Sequence, residues 1–290
     1  MNIRTIKKKI KSVTNVKKIT KAMQMVSAIK MKKAQMLATE GKPYQEEIEK
    51  IIKAVSKKID PSFSPLIIRQ IDKNSKNRKL AIVVATNKGL CGSFNFNLLR
   101  FIVKNADFKN TDFIIVGKKA SLLGKFGANI ISDYSSNIPL NSVSAVFKVA
   151  LSKFIDKTYD EVILFYNQFI STLSSNPINK IILPVSFTED ENIGGEVKLI
   201  EKSYEYLIEP NPKQIINSLL KSYVEEKLRF AFIQSEAGEH SLRMIAMKNA
   251  TDNATDVIYN LTMVRNKVRQ EKITSELLDM ITAKESVESN

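Results

Sequence analysis

From Ile3 the apolar residues of this chain step by three and four: Ile3, Ile6, Ile10, Val13, Val16, Ile19, Met23, Val26. Such steps make the seam of a coiled coil. A second seam lies near the other end, where Val257, Leu261, Val264 and Val268 are spaced four, three and four. A narrow apolar stripe on a lone rod stays wet. The economical fold therefore packs the two terminal helices against each other, antiparallel, with whatever lies between them carried as a globular attachment.

The N-terminal pattern predicts a helix over 1–58, about 80 Å long at 1.5 Å per residue. Between Val13 and Val16 a step of three replaces the expected four, which reads as a stammer that overwinds the supercoil. The pattern continues through Ile29, Ala34 and Leu37, meets Gly41 and Pro43, and resumes with Tyr44, Ile48, Ile51, Ile52 and Val55. Pro43 is expected to kink or break the helix. The C-terminal helix should begin at Pro212, with Asn211 as its cap, and run through 211–285, about 110 Å.

Between the helices the period changes. Leu80–Ala85 is a short continuous apolar run, as a strand buried on both faces requires. Helical and strand-like runs then alternate: 94–104, 113–116, 118–126, 129–132, 143–155, 162–166 and 180–185. The fold class is α/β: a long antiparallel coiled coil plus a Rossmann-like domain over 78–186 with a mostly parallel sheet.

Composition narrows the function. The formal net charge is +15, and residues 1–33 hold eleven Lys or Arg with no acid, whereas residues 210–290 balance eleven of each sign. An acidic partner is implied. The lysines point all around the helix, and no aromatic precedes Tyr44. An acidic protein cavity fits this better than nucleic acid, which is read through basic faces with aromatics or arginines; a solvated face is the plain alternative.

The single cysteine, Cys91, excludes an internal disulfide and a multi-cysteine metal site. No apolar run reaches the roughly 20 residues needed to span a bilayer. Asn87-Lys88-Gly89-Leu90-Cys91-Gly92-Ser93 sits between a strand and a helix but fits neither phosphate-loop nor dinucleotide spacing. Cys91 reads as a small buried thiol and His240, the one histidine, as a helix-surface or interface residue. No catalytic, metal or cofactor constellation emerges. The residues by themselves read as a chain that is not an enzyme on its own, with a nucleic-acid-binding coiled-coil protein as one reading left open.

Several longer runs resemble the gamma subunit family of F-type ATP synthases. They are Ile19-Thr20-Lys21-Ala22-Met23-Gln24-Met25-Val26-Ser27-Ala28, Gly89-Leu90-Cys91-Gly92, Tyr206-Leu207-Ile208-Glu209-Pro210, Met244–Ala254, Asn266-Lys267-Val268-Arg269-Gln270 and Ile273-Thr274-Ser275-Glu276. The resemblance implies a central stalk whose coiled coil stands inside a ring of alpha and beta subunits. Its α/β domain would meet the epsilon subunit and the c-ring at the cytoplasmic face of a bacterial cell membrane. It further implies that Lys21, Met23, Arg269, Gln270 and Thr274 face the beta subunits and that Tyr206 and Glu209 lie near the c-ring and epsilon. Two segments depart from the family pattern: Thr86-Asn87-Lys88, where an acidic or Ser-Asp pair is usual, and Thr282-Ala283-Lys284-Glu285, in place of a small, Gly-rich tail.

Overall fold

The computed structural model describes residues 2–56, 64–67, 78–135, 139–185 and 211–288. The chain divides into two compact units, one made of Met1–Ala28 with Arg243–Asn290, the other of Ile29–Leu242. Two helices run through both: α1 (Ile3–Ser56) and α4 (Pro212–Glu288).

In the first unit α1 and α4 pair antiparallel. Thr20 Oγ1 and Thr251 Oγ1 share a hydrogen bond of 2.8 Å, while Thr5, Lys8, Lys9, Ser12 and Val13 form one wall of a groove whose other wall is Val257 and Leu261. The covered line on α1 is Ile3, Ile6, Ile10, Val13, Lys17, Thr20, Gln24 and Ser27, with Thr14 and Met23 half-buried beside it. The steps of three and four never break. The stammer expected at Val13 is absent, and Val16, Ile19 and Val26 are 51, 60 and 54% exposed. Polar side chains fill the seam positions, so a reading of apolar residues alone slips one position at Val13. On α4 the seam is Met247, Thr251, Ala254, Ile258, Leu261, Arg265 and Val268; Val257 and Val264 are exposed, and Ile258 and Arg265 hold the positions expected of them.

The buried threonine pair sets a prediction. Thr251 Oγ1 can also donate to the Met247 carbonyl at 2.8 Å and Thr20 Oγ1 to that of Lys17 at 3.1 Å. Thr20→Val alone should cost about 1 kcal/mol, because it strips Thr251 of a partner while leaving its hydroxyl buried. The double change with Thr251→Val should recover most of that, read as non-additivity in thermal unfolding of the four-member cycle.

The second unit holds the sheet, in order β3-β2-β1-β4-β5. Its strands are β1 (Lys79–Val84), β2 (Thr111–Val116), β3 (Asn129–Asp133), β4 (Glu161–Phe169) and β5 (Ser175–Leu183). The first four are parallel, and β5 pairs antiparallel with β4 at the edge. β5 starts earlier than the apolar run at 180–185 suggests, because the hairpin extends both strands beyond their buried portions. Alternate residues of the central strands face two cores. Leu80, Ile82, Val84, Leu164 and Tyr166 pack with α3 (Val143–Ile155), α1 and α4 through Ile48, Ile52, Phe147, Leu220, Leu228 and Phe232. Ala81, Val83, Phe113, Ile115 and Phe165 pack under α2 (Phe94–Asn105) through Leu98, Leu99 and Ile102, together with Ala120 and Leu123. The helix at 118–126 is of the 3-10 type, ending at Gly127 in the left-handed region.

Contrary to the sequence expectation, α1 continues through Pro43. The ring lies on the exposed side of the helix, off the covered line Met31, Ala34, Ala38, Gly41, Gln45, Ile48, Ile52. Proline forfeits one backbone hydrogen bond. Gln45 Nε2 donating to the Glu226 carbonyl at 3.2 Å and the burial of Ile48 and Ile52 hold the helix on either side of the gap.

Candidate partner-contact surfaces

Residues 1–28 contain eight cationic side chains, Arg4, Lys7, Lys8, Lys9, Lys11, Lys17, Lys18 and Lys21, and no acid. All but Lys17 are exposed. Interleaved with them, Val16, Ile19, Met25 and Val26 are each more than half exposed. Lys21 leans along the helix to Gln24 Oε1 at 3.3 Å, and Met23 is half-buried beside the seam. The outward side of α1 is thus apolar and cationic at once, a surface for a partner that is acidic and able to exclude water.

The seam on α4 ends at Val268. Every side chain from 269 to 284 is exposed, including Ile273, Leu277, Leu278, Met280 and Ile281 at 49 to 67%. Gln270 and Thr274, one turn apart, line a shallow groove with Lys267, Glu271, Ser275 and Leu278. Arg269 is exposed on the adjoining face. Ion pairs along the helix, Lys267–Glu271 at 4.0 Å and Lys272–Glu276 at 3.3 Å, contribute only a few tenths of a kcal/mol each. They do not offset five exposed large apolar side chains, so this stretch is built to be surrounded. Arg269, Gln270 and Thr274 therefore come together on one accessible segment, while Lys21 and Met23 lie on α1. Tyr206 and Glu209 lie outside the described residues.

The turn after β1 is locked from within. The Asn95 carboxamide oxygen accepts from the Thr86 backbone N–H at 3.2 Å, Asn95 Nδ2 donates to Thr86 Oγ1 at 2.8 Å and lies 3.3 Å from Cys91 Sγ, and Asn87 Oδ1 accepts from Lys118 N–H at 3.0 Å. Cys91 is buried, as its sequence context suggested. Leu90 is held at a φ of 63° with 61% of its surface exposed, and Phe96 nearby in sequence is 66% exposed. A bulky residue in the left-handed region is uncommon. Sequence reading quoted Leu90 only as part of the Gly89-Leu90-Cys91-Gly92 run, without its exposure, and passed over Phe96. The available signal was a leucine between two glycines of a tight turn.

Doubly wound α/β domains hold ligands outside the carboxyl ends of their strands, where the topology reverses. Here the carboxyl end of β4 is tied to α4: Phe169, the last residue of β4, donates its N–H to Gln234 Oε1 at 3.0 Å.

These features match a known family. The family model described as ATP synthase matches residues 2–287. The chain is 33% identical to the ATP synthase gamma chain of Akkermansia muciniphila over 294 residues, covering 99% of each, and 35% identical to that of Nitrosomonas eutropha, covering 96% of this chain and 97% of the relative. A chain in the rotor of the Euglena gracilis mitochondrial ATP synthase shares the fold, with a TM-score of 0.62 at 18% identity, over 93% of this chain and 98% of that one. With the family model spanning both helices and the sheet domain, and a third of the residues shared with relatives of equal length, the chain belongs to the ATP synthase gamma chain family, a non-catalytic part of that complex.

Proposed function

We propose that this chain is the rotor shaft of a bacterial ATP synthase, attached peripherally at the cytoplasmic face of the cell membrane. In this reading the coiled coil stands inside the ring of alpha and beta subunits, and the sheet domain meets epsilon and the c-ring through a region that includes Tyr206 and Glu209. The α4 segment past Val268 carries the proposal, since its apolar side chains are exposed on every side and a lone helix of that kind is not stable in water. Arg269, Gln270 and Thr274 present donors and acceptors there to the beta subunits. Lys21 and the cations around Met23 face acidic loops of the same subunits.

The mechanism is differential contact. A shaft that touched all three catalytic sites alike would shift none of them, whatever its affinity. Moving one site from 1:99 to 99:1 between two states takes about 5.5 kcal/mol of difference. An asymmetric surface, cationic on α1 and charge-balanced on α4, can supply such differences as it turns.

Co-expression with the cognate alpha and beta subunits tests the reading. Steady ATP hydrolysis should require this chain; hydrolysis equally fast without it overturns the proposal. Changing Arg269, Gln270 and Thr274 together to alanine should lower that hydrolysis about tenfold, since two or three hydrogen bonds of about 0.5–1.5 kcal/mol are removed. Alanine is the best helix former, so the segment keeps its conformation and the loss reports contact.

A further inference from the structure

Burial of Leu220, Leu228 and Phe232 holds one face of α4 against the sheet and resists rolling of the helix, since exposing each side chain costs about 1.5–3 kcal/mol, but apolar contact is non-directional and sets the rotational angle only coarsely. A further set of directional contacts, closest to the end of β4, sets it more finely. Gln234 Oε1 accepts the Phe169 N–H at 3.0 Å. One turn on, Gly238 lies so close to the sheet domain that a Cβ there would sit 3.1 Å from Phe94 Cε2 and 3.3 Å from Ser175 Cβ. A further turn on, Ser241 Oγ donates to the Thr172 carbonyl in the β4–β5 hairpin. Phe94 is itself tied to β4 by Asn167 Nδ2 donating to its carbonyl at 3.4 Å. Positions 234, 238 and 241 are i, i+4 and i+7, one narrow face of the helix. Turning α4 by even a fraction of a turn breaks two directional hydrogen bonds and drives the side chain of a neighbouring position into Phe94.

We propose that Gln234, Gly238 and Ser241 are positioning residues that fix the rotational setting of α4 against the sheet domain. Torque entering the sheet domain then passes into the shaft and is not lost as slip. The inference rests on the shaft reading above and adds to it the residues at which turning force changes hands. None of the three touches substrate or the expected ring contacts; they act through α4.

The test uses the complete membrane-bound complex in inverted vesicles, with ATP hydrolysis and ion uptake measured on the same preparation, by a proton-sensitive dye and by sodium tracer. The double variant Gln234→Ala/Ser241→Ala removes the two hydrogen bonds and leaves the apolar packing. Gly238→Val adds bulk at the close contact. Each should leave hydrolysis within about twofold of the parent and lower the ions moved per ATP at least threefold. Ser241→Thr, which keeps the hydroxyl, should restore the parental ratio. A merely structural role would reduce assembly, so that hydrolysis and uptake fall together at constant ratio, and that outcome overturns the proposal. If Gly238→Val does not assemble, the double variant decides. Failure of the shaft reading looks different: complexes lacking this chain would pump ions as well as the parent does.

Discussion

Alanine at Gly117 is expected to destabilise the sheet domain more than any other single change considered for it. Gly117 follows β2 with a φ of 94°, and a Cβ on it would lie 2.2 Å from the Ala85 carbonyl oxygen and 2.7 Å from its carbon. The neighbour cannot retreat. Ala85 N–H donates to the Val116 carbonyl at 2.9 Å, the Thr86 carbonyl accepts from Lys119 N–H at 3.0 Å, and the Gly117 carbonyl accepts from Ala120 N–H at 3.0 Å. These bonds pin the ends of β1 and β2 together at the one place where the added atom would go. Backbone strain of this kind costs about 1–3 kcal/mol. The overlap with a fixed carbonyl adds more, bringing the total above about 4 kcal/mol, a large share of the 5–15 kcal/mol that keeps a domain folded. Gly92 is the control: its φ is 61°, but a Cβ there meets nothing within 4 Å, so Gly92→Ala should cost only about 1 kcal/mol. Soluble yield and thermal unfolding of the two variants compare the terms directly. Equal losses would mean that conformation alone, and not the carbonyl of Ala85, makes Gly117 a glycine.

That contrast also marks what a sequence can and cannot convey. Both glycines sit at strand-to-helix turns, and nothing in the residues around Gly117 signals the approach of a chain segment more than thirty positions earlier. The strands were legible because buried parallel strands are continuous apolar runs, as at Leu80–Val84 and Phe113–Val116. Helix α3 begins and ends where its pattern does, at Val143 and Ile155. The helix at 118–126 has the expected bounds, but spacing does not separate 3-10 from α over so short a run. The coiled coil was legible in kind but not in register past Val13, because Lys17, Thr20, Gln24 and Ser27 occupy seam positions that an apolar pattern leaves blank. The contact surfaces divide the same way. Exposure of Arg269 and Gln270 fits the run of four polar residues, Arg269-Gln270-Glu271-Lys272, that interrupts the C-terminal seam, whereas Thr274 lies beyond it, after Ile273. The display of Leu90 and Phe96 depends on a turn fixed by Asn95 from the next helix, a relation between side chains that spacing alone does not encode.

Replacing Asp112 by alanine should be the other large loss of stability, and the one that depends on pH. At the start of β2, this carboxylate is 9% exposed. It accepts from Arg78 Nη2 at 2.9 Å, Tyr159 Oη at 2.7 Å and Asn129 Nδ2 at 2.8 Å. One side chain thus ties the residue before β1, the first residue of β3 and the connection into β4. Removing it leaves a buried hydroxyl and part of a guanidinium unpaired. The Arg78 side chain is half exposed and recovers some hydration, so the cost is about 3 kcal/mol and not the larger penalty of a fully buried pair. Burial opposes the charge on Asp112, yet the hydrogen bonds from Tyr159 and Asn129 and the charge of Arg78 outweigh it and hold the carboxyl below its ordinary value. A depressed acid stabilises the fold above its unfolded pKa of about 3.9, and that contribution is lost as pH falls through the folded value. Tyr159 works in the opposite range. Burial first, then the Asp112 carboxylate, pushes its hydroxyl up to about 12. The neutral phenol therefore contributes fully below about pH 10, and this share disappears as pH rises from there through the folded value. Thermal unfolding of the parent should accordingly be flat from about pH 5 to pH 9 as far as this cluster is concerned, and fall on both sides. In Asp112→Ala the whole curve should sit lower, with the difference from the parent shrinking below about pH 4 because both proteins then lack the carboxylate. Parallel curves across the acid range would show that the charge on Asp112 is not what binds these three elements together.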